Sequence, residues 1–217
     1  GKLWSRQPKR NGATNMSEHQ PDYQASVIAA VVPCYRERAS ILDVLGKFGP
    51  EVSHIVVVDD ACPDGTGEWV RSECADPRVT VLTHEANQGV GGATLSGYAK
   101  SIELGADIIV KLDGDGQMNP EMISRLVRPI LEGRADYAKG NRFFRLQGIS
   151  GMPKMRLVGN VILSFASKVS SGYWKIFDPT NGFTAIHIKV AEILPLDQID
   201  KSFFFESDML YHLNVNR

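Results

Sequence analysis

Short apolar runs and segments of helical periodicity alternate along the chain from Ser26 onward. Parallel strands joined by crossover helices produce this alternation, because the strands form a buried sheet and each helix covers it with one apolar face. The pattern therefore predicts an α/β fold with a mostly parallel central sheet flanked by helices. The predicted strands are 27–32, 54–58, 79–83 and 107–112, and the predicted helices are 37–48, 65–74, 92–104 and one from Pro120 to about Leu131.

Length and composition predict one domain. The chain has 217 residues, 43% of them hydrophobic, and can bury one substantial core, which we assign to residues 26–217. Residues 1–25 lack a periodic apolar pattern and are predicted to be a disordered arm or a cloning-derived segment, with a basic arm at a membrane surface as the alternative. The helical pattern still continues at Asn216 and Arg217, so further C-terminal helices are expected to follow.

Charge and cysteine content exclude several classes of protein. The net charge of -1 and the pI near 6.6 lack the basic excess of polyanion binders, so no nucleic-acid partner is expected. The three cysteines form no CxxC pair, which predicts free thiols in a reducing compartment and disfavours zinc. No apolar run approaches the roughly 18 residues of a membrane span, so the chain is expected to be soluble.

Polar residues directly follow three of the predicted strands, at 33–37, 59–60 and 113–117. Ligands of open α/β sheets bind beyond the carboxyl ends of the strands, so these segments should converge on one rim. In Asp113-Gly-Asp115-Gly-Gln117 the glycine lets both carboxylates turn toward one point. Mg²⁺ takes one or two protein carboxylates and leaves its other positions to water and substrate phosphates. The segment therefore predicts a cation site for a diphosphate-bearing ligand, with a solvated acidic turn as the alternative.

The tandem acids Asp59 and Asp60 allow two interpretations. A carboxylate can accept a hydrogen bond from the ring N–H of uracil or guanine, so one of them could recognise a nucleotide base. The alternative is a capped strand-to-helix turn, which the following segment 63–66 (P-D-G-T) also favours.

A glycine-rich segment, Asn87–Ala93, precedes a predicted helix. Glycine permits close backbone approach, and a helix N-terminus favours negative charge, so Asn87 and Gly89 are candidate ligand-binding residues. Tight packing of the helix on a strand explains the glycines equally well. Thr94 replaces the third glycine of a dinucleotide-binding fingerprint and no Gly-Lys-Ser/Thr occurs, which disfavours dinucleotide and P-loop sites.

Cationic charge is concentrated between positions 139 and 175, where no Asp or Glu occurs. This segment could meet an anionic substrate or a lipid headgroup surface, although a solvated face is the usual origin of a charge run. Its basic residues are Lys139, Arg142, Arg145, Lys154, Arg156, Lys168 and Lys175.

Two further acids, Glu206 and Asp208, lie among the aromatic residues of the segment 203–210. Removal from water raises the proton affinity of a carboxylate, which suits a general base. Helix capping, or ion pairing with the basic segment, explains the same acids without catalysis.

Taken together, residues 26 to about 213 resemble the family 2 glycosyltransferases, and most closely their dolichol-phosphate mannosyltransferase branch. Val32–Glu37 (V-P-C-Y-R-E) is similar to the family's V-P-x-Y-N-E, with Arg36 in place of Asn. Val58–Thr66 (V-D-D-A-C-P-D-G-T) resembles V-D-D-G-S-P-D-G-T closely. The resemblance implies a GT-A fold, whose central sheet is Rossmann-like and mostly parallel.

The resemblance also implies roles for individual residues. Gly140-Asn141-Arg142 is similar to the branch's G-S-R or G-N-R, whose Arg meets substrate phosphate, and Asp178–Phe183 resembles its D-x-x-S-G-F acceptor or sugar element, with Asn181 departing from it. Glu206 and Asp208 match a late acidic motif that more often has Glu at the second position. The implied nucleoside site is Pro33, Tyr35, Glu37 and Asp59 or Asp60, and the implied metal and diphosphate site is Asp113, Asp115 and Gln117.

The expected activity is inverting transfer of a sugar from a UDP- or GDP-linked donor to a polyprenyl or dolichyl phosphate. Mg²⁺ or Mn²⁺ is the expected cofactor, and the expected location is the cytoplasmic face of a membrane, bound peripherally. The alternatives are a glycosyltransferase that acts on a saccharide hydroxyl, for which Asp208 would matter as a base, and a non-catalytic nucleotide-sugar-binding module. The sequence leaves the donor base, the donor sugar and the oligomeric state open.

Overall fold

The computed structural model describes residues 26–140, 181–196, 198–202 and 204–215. None of the helices in these ranges is both long and apolar enough to cross a membrane. The strands are β1 (Ile28–Cys34), β2 (His54–Asp59), β3 (Val79–Thr83), β4 (Ile108–Lys111), β5 (Tyr137–Lys139) and β6 (Thr184–His187). They form one sheet in the order β3-β2-β1-β4-β6-β5.

The sheet is mostly parallel, as the sequence pattern predicts. β1 pairs in parallel with β2 and β4, and β2 pairs in parallel with β3. β6 is antiparallel to both of its neighbours, β4 and β5. The sequence pattern predicts neither β5 (Y-A-K) nor β6 (T-A-I-H), because each is short and lacks the three consecutive branched apolar residues that identify β4.

Helices cover both faces of the sheet. They are α1 (Ile41–Leu45), α2 (Thr66–Glu73), α3 (Gly89–Glu103), α4 (Ile123–Leu131, after a 3₁₀ turn Pro120–Met122), α5 (Ile188–Ile193) and α6 (Phe205–Val215). On β1, Ile28, Ala30 and Val32 belong to the apolar core beneath α1, α2 and α4, while Ala29 and Val31 belong to the core beneath α3, α5 and α6. Burial on both faces explains why the central strands are continuous apolar runs.

All four predicted helices differ somewhat from their predicted bounds, and α1 also ends earlier than predicted, at Leu45. Two of the differences at helix starts have local reasons. α1 begins at Ile41, later than predicted, because residues 36–40 form a turn in which Arg36 has a left-handed φ of 63° and Glu37 O accepts from the backbone of Ser40. α3 begins at Gly89, earlier than predicted, because the Gly89 N–H donates to the carboxylate of Asp60 and is thereby fixed.

The path of the chain creates a crevice at the carboxyl edge of the sheet. From β1 the chain moves outward through β2 and β3, and then returns across α3 to β4 on the other side of β1. α3 lies close to β1, since a Cβ on Gly97 would be 2.2 Å from Val31 Cγ1. The connections that follow β1 and β4 therefore leave the sheet in opposite directions. The crevice between the carboxyl ends of these two strands is the switch point of the sheet, where ligands of such folds bind.

Candidate active site at the carboxyl edge of the sheet

The segments that follow β1 and β4 are in contact at the switch point. Ser40 Oγ donates to the Gly114 carbonyl at 2.8 Å and lies 3.2 Å from Glu37 Oε2. Gly114 is buried, and a Cβ there would be 3.1 Å from Cys34 Sγ. Glycine at position 114 therefore lets the Asp-Gly-Asp segment rest against the end of β1.

Negative charge is concentrated where these segments meet. Partial burial raises the pKa of Glu37, and the nearby carboxylates of Asp115 and Asp113 raise it further, whereas the Ser40 hydroxyl opposes the rise. The three acids belong to two segments far apart in the sequence. Their proximity produces a negative potential that attracts a cation.

The donor set suits a cation that shares its ligands with a substrate. Asp113 and Asp115 are both partly exposed, Gln117 is exposed, and the Gln117 N–H donates to Asp115 Oδ1 at 2.9 Å. Among the described residues, Asp113 Oδ1 is buried and meets no donor other than Lys111 Nζ, with which it forms an ion pair. A pair of carboxylates fits Mg²⁺ or Mn²⁺ that also binds phosphate oxygens.

Lys111, at the end of β4, is a site residue that the sequence analysis missed. Its side chain is 1% exposed, and its Nζ lies 2.8 Å from Asp113 Oδ1 and 2.7 Å from Glu206 Oε1. The available signal was a lysine within an otherwise apolar strand. Its partner Glu206 lies 95 positions away, and no local pattern identifies such a pair.

The two late acids lie in different environments on α6. Residues two apart on a helix point about 200° apart, so Glu206 and Asp208 face opposite directions. Glu206 is buried and forms an ion pair with Lys111, whereas the basic segment beyond Gly140, the other partner considered for it, lies outside the described residues. Asp208 accepts from the Asp200 N–H at 2.8 Å and lines a surface cavity of about 400 Å³ together with Phe204 and Tyr211.

Asp59 and Asp60 are buried and organise the neighbouring loops. Asp59 accepts backbone hydrogen bonds from Cys62 and Gly67 at 2.7 and 2.6 Å, and so caps the turn into α2. Asp60 accepts from the backbone N–H of residues 88 and 89 and is 2.7 Å from Nδ1 of His84. Both carboxylates therefore have structural partners, and recognition of a base by either one stays a prediction.

The glycine-rich segment packs against the loop before α6. The N–H groups of Gly91 and Gly92 donate to the Lys201 carbonyl at 3.0 and 3.3 Å, and a Cβ on Gly91 would lie 2.6 Å from the Asp200 carbonyl oxygen. The close contacts of these glycines are with this loop and with Gln88, whereas the packing alternative had predicted contact with a strand. Binding of a ligand by Asn87 and Gly89 stays a prediction.

The remaining predicted residues are divided between the rim and the undescribed part of the chain. Pro33 is buried within β1, whereas Tyr35 is 44% exposed, with the Arg36 guanidinium 5.5 Å from its ring centroid. An exposed aromatic ring at this edge suits stacking with a base. Arg142, Asp178 and the basic segment beyond Gly140 lie outside the described residues.

Cys34 should be unreactive in the folded protein, because burial raises the pKa of its thiol and the nearby carboxylates of Glu37 and Asp59 raise it further. The thiolate is the nucleophile in alkylation, so we expect iodoacetamide at pH 8 to label Cys34 more slowly than the half-buried Cys74. Peptide mass spectrometry of native and urea-unfolded samples measures this. Equal native labelling of the two residues would contradict the burial and charge assigned to Cys34.

Comparisons with known proteins identify the family of this chain. The model of the family described as Glycosyl transferase family 2 matches residues 29–194. A UDP-N-acetylglucosamine–dolichyl-phosphate N-acetylglucosaminyltransferase of Methanococcus voltae is 31% identical over 182 residues, which are 77% of this chain and 72% of that relative. An undecaprenyl-phosphate mannosyltransferase of Micrococcus luteus is 32% identical over 188 residues, which are 85% of this chain and 76% of that relative.

A solved structure shares the fold. It is the glucosyl-3-phosphoglycerate synthase of Mycobacterium tuberculosis in complex with Mn²⁺, UDP-glucose and phosphoglyceric acid, with a TM-score of 0.68 and 19% identity. The likeness covers 95% of this chain and 74% of that one. The sheet and its flanking helices therefore form the GT-A fold that the sequence resemblance implied.

Proposed function

This chain belongs to glycosyl transferase family 2, and on that basis we propose that it transfers a sugar from a UDP- or GDP-linked donor to a polyprenyl phosphate. Family membership makes it a glycosyltransferase, so the proposal concerns its donor, cation and acceptor. The observation that carries the proposal is the position of Asp113 and Asp115, which lie beside Glu37 at the switch point of the sheet.

In this proposal the cation is Mg²⁺ or Mn²⁺, held by Asp113 and Asp115 with Gln117 beside them. When bound, it supplies positive charge that offsets the charge growing on the leaving diphosphate. The protein's own part is to present the two carboxylates on a short segment that Gly114 and Ser40 fix against β1. The exposed ring of Tyr35 at the same edge is placed to meet the nucleoside.

The proposed acceptor is a polyprenyl phosphate, because the relatives from Methanococcus voltae and Micrococcus luteus are named for dolichyl and undecaprenyl phosphate. A phosphate oxygen is already anionic and needs orientation more than deprotonation. Glu206 is paired with Lys111, which fits a reaction that does not require it as a base. Since such acceptors reside in membranes, we propose peripheral association with the cytoplasmic face.

The test is transfer with purified protein, Mn²⁺ or Mg²⁺, a panel of UDP- and GDP-linked sugars and a short-chain polyprenyl phosphate. We expect one donor to yield a glycolipid together with the nucleoside diphosphate, and EDTA to abolish its formation. The matched control replaces the lipid phosphate with the corresponding polyprenol. Absence of a glycolipid with every donor would refute the lipid-phosphate acceptor.

Substitution Asp208→Asn distinguishes a phosphate acceptor from a saccharide hydroxyl. A phosphate acceptor requires no general base, so we expect kcat to fall by less than about tenfold. A hydroxyl acceptor that uses Asp208 as its base would lose about 10²- to 10⁴-fold. Initial rates with the accepted donor measure the difference, and Asp200→Asn, which alters a neighbour in the same cavity, is the control.

A further inference from the structure

Lys111 places a charged group inside the protein at the end of β4. Taking an ammonium out of water costs several kcal/mol unless nearby groups compensate. Here two carboxylates provide the compensation, one from the segment after β4 and one from the first turn of α6. Lys111 and its two carboxylate partners therefore form one electrostatic unit, in which the energetic cost of each buried charge depends on the other two.

The Lys111 ammonium is enclosed by the backbone as well as by the two carboxylates. The backbone of Gly182 closes over the pair, since a Cβ there would lie 2.4 Å from Lys111 Nζ and 2.8 Å from Asp113 Oδ2. The ammonium is thus confined between the two carboxylates.

The pairing of Lys111 with two acids determines the net charge that these three groups present to a cation. With both carboxylates ionised, the three groups carry a formal charge of −1. Without the charge of Glu206, the ammonium and Asp113 would neutralise each other, and Asp113 would become a weaker ligand for a cation. Glu206 therefore influences Asp113 through Lys111, although it lies on a different element.

We propose that Glu206 is a positioning residue that offsets the positive charge of Lys111, so that the group formed with Asp113 presents a net negative charge to a cation. This inference rests on the proposed function, in which Asp113 meets the cation of the sugar donor. It assigns Glu206 a role at the donor end of the site, distinct from that of a general base. It also accounts for a lysine buried beside a cation site, where an unpaired positive charge would repel the cation.

The experiment measures Mn²⁺ binding in the absence of any acceptor, from the electron paramagnetic resonance signal of free Mn²⁺, with saturating UDP or GDP. We expect Glu206→Gln to weaken Mn²⁺ binding roughly tenfold, because it leaves Lys111 paired with Asp113 alone. The double variant Lys111→Met with Glu206→Gln should recover affinity to within about threefold of the wild type, since no ammonium then offsets the charge of Asp113. Glu103→Gln, which breaks an exposed ion pair on α3, is the control and should change nothing.

The outcomes separate this inference from the proposed function. If the wild type binds Mn²⁺ and Glu206→Gln binds it equally well, the role of Glu206 is refuted and the proposed function stands. If the double variant is folded by circular dichroism and binds Mn²⁺ as weakly as Glu206→Gln, Glu206 acts directly and not through Lys111. If the wild type binds no Mn²⁺ with either nucleotide, the cation site itself is refuted, and the inference with it. The single variant decides whether Glu206 supports cation binding even if the double variant does not fold.

Discussion

Replacing Asp113 with Asn should lower kcat/KM for sugar transfer on the order of 10²- to 10³-fold, with the fold intact. The amide keeps the shape of the side chain but removes the charge that Asp113 contributes at the switch point. Asp113 is the acid that combines a buried oxygen, an ion pair with Lys111 and a position next to Glu37. Loss of its charge therefore weakens cation binding directly.

The measurement is the initial rate as a function of Mn²⁺ and donor concentration, with circular dichroism to verify folding. Asp43→Asn is the matched control, because Asp43 lies on the exposed side of α1 and pairs only with the surface residue Lys47 among the described contacts. The control should retain its full rate. A folded Asp113→Asn variant that retains more than about a tenth of the wild-type kcat/KM would contradict the assignment.

Replacing Lys111 with Met should lower the free energy of unfolding by about 3–5 kcal/mol, because it removes one partner of a buried ion pair and leaves the others uncompensated. Methionine fills a similar volume, so the loss reports charge more than packing. Urea denaturation followed by circular dichroism measures the change. Lys47→Met, which breaks an exposed pair with Asp43, is the control and should lose far less.

Adding Glu206→Gln to the Lys111→Met variant should restore a substantial part of that stability, since the second buried carboxylate is then neutral. This non-additivity is the signature of a coupled pair. A loss of less than about 1 kcal/mol in the single variant would show that Lys111 is not compensating buried charge.

The sequence predicts the parallel strands well, because the feature that identifies each of them is a pattern of apolar residues within the strand itself. Strands buried on both faces must be apolar along their length, as β1 and most of β2 are. The partly buried edge strand β3 alternates apolar and polar residues over most of its length and has the predicted bounds, 79–83. The turn at 36–40 could not be predicted in the same way. Its left-handed Arg36 is fixed by contacts with distant residues, including the hydrogen bond from its N–H to Cys62 Sγ.

The residues of the candidate site can be predicted from the sequence where they come directly after a predicted strand. Asp113 and Asp115 were identified because they come directly after an apolar run. The roles of Asp59 and Asp60 could not be derived, because a buried acid that caps a turn has the same sequence pattern as one that binds a base. Lys111 was missed since its two partners come together only when α6 packs on the sheet.

The central claim, that the segment 113–117 binds a cation together with the diphosphate of a sugar donor, is tested most directly by calorimetric titration. UDP and GDP are each titrated into the wild type and into Asp113→Asn, with and without Mn²⁺. We predict that one nucleotide binds the wild type at least about tenfold more tightly with Mn²⁺ and that this gain disappears in the variant. Equal Mn²⁺ dependence in the two proteins, or binding of neither nucleotide by the wild type, would contradict the account.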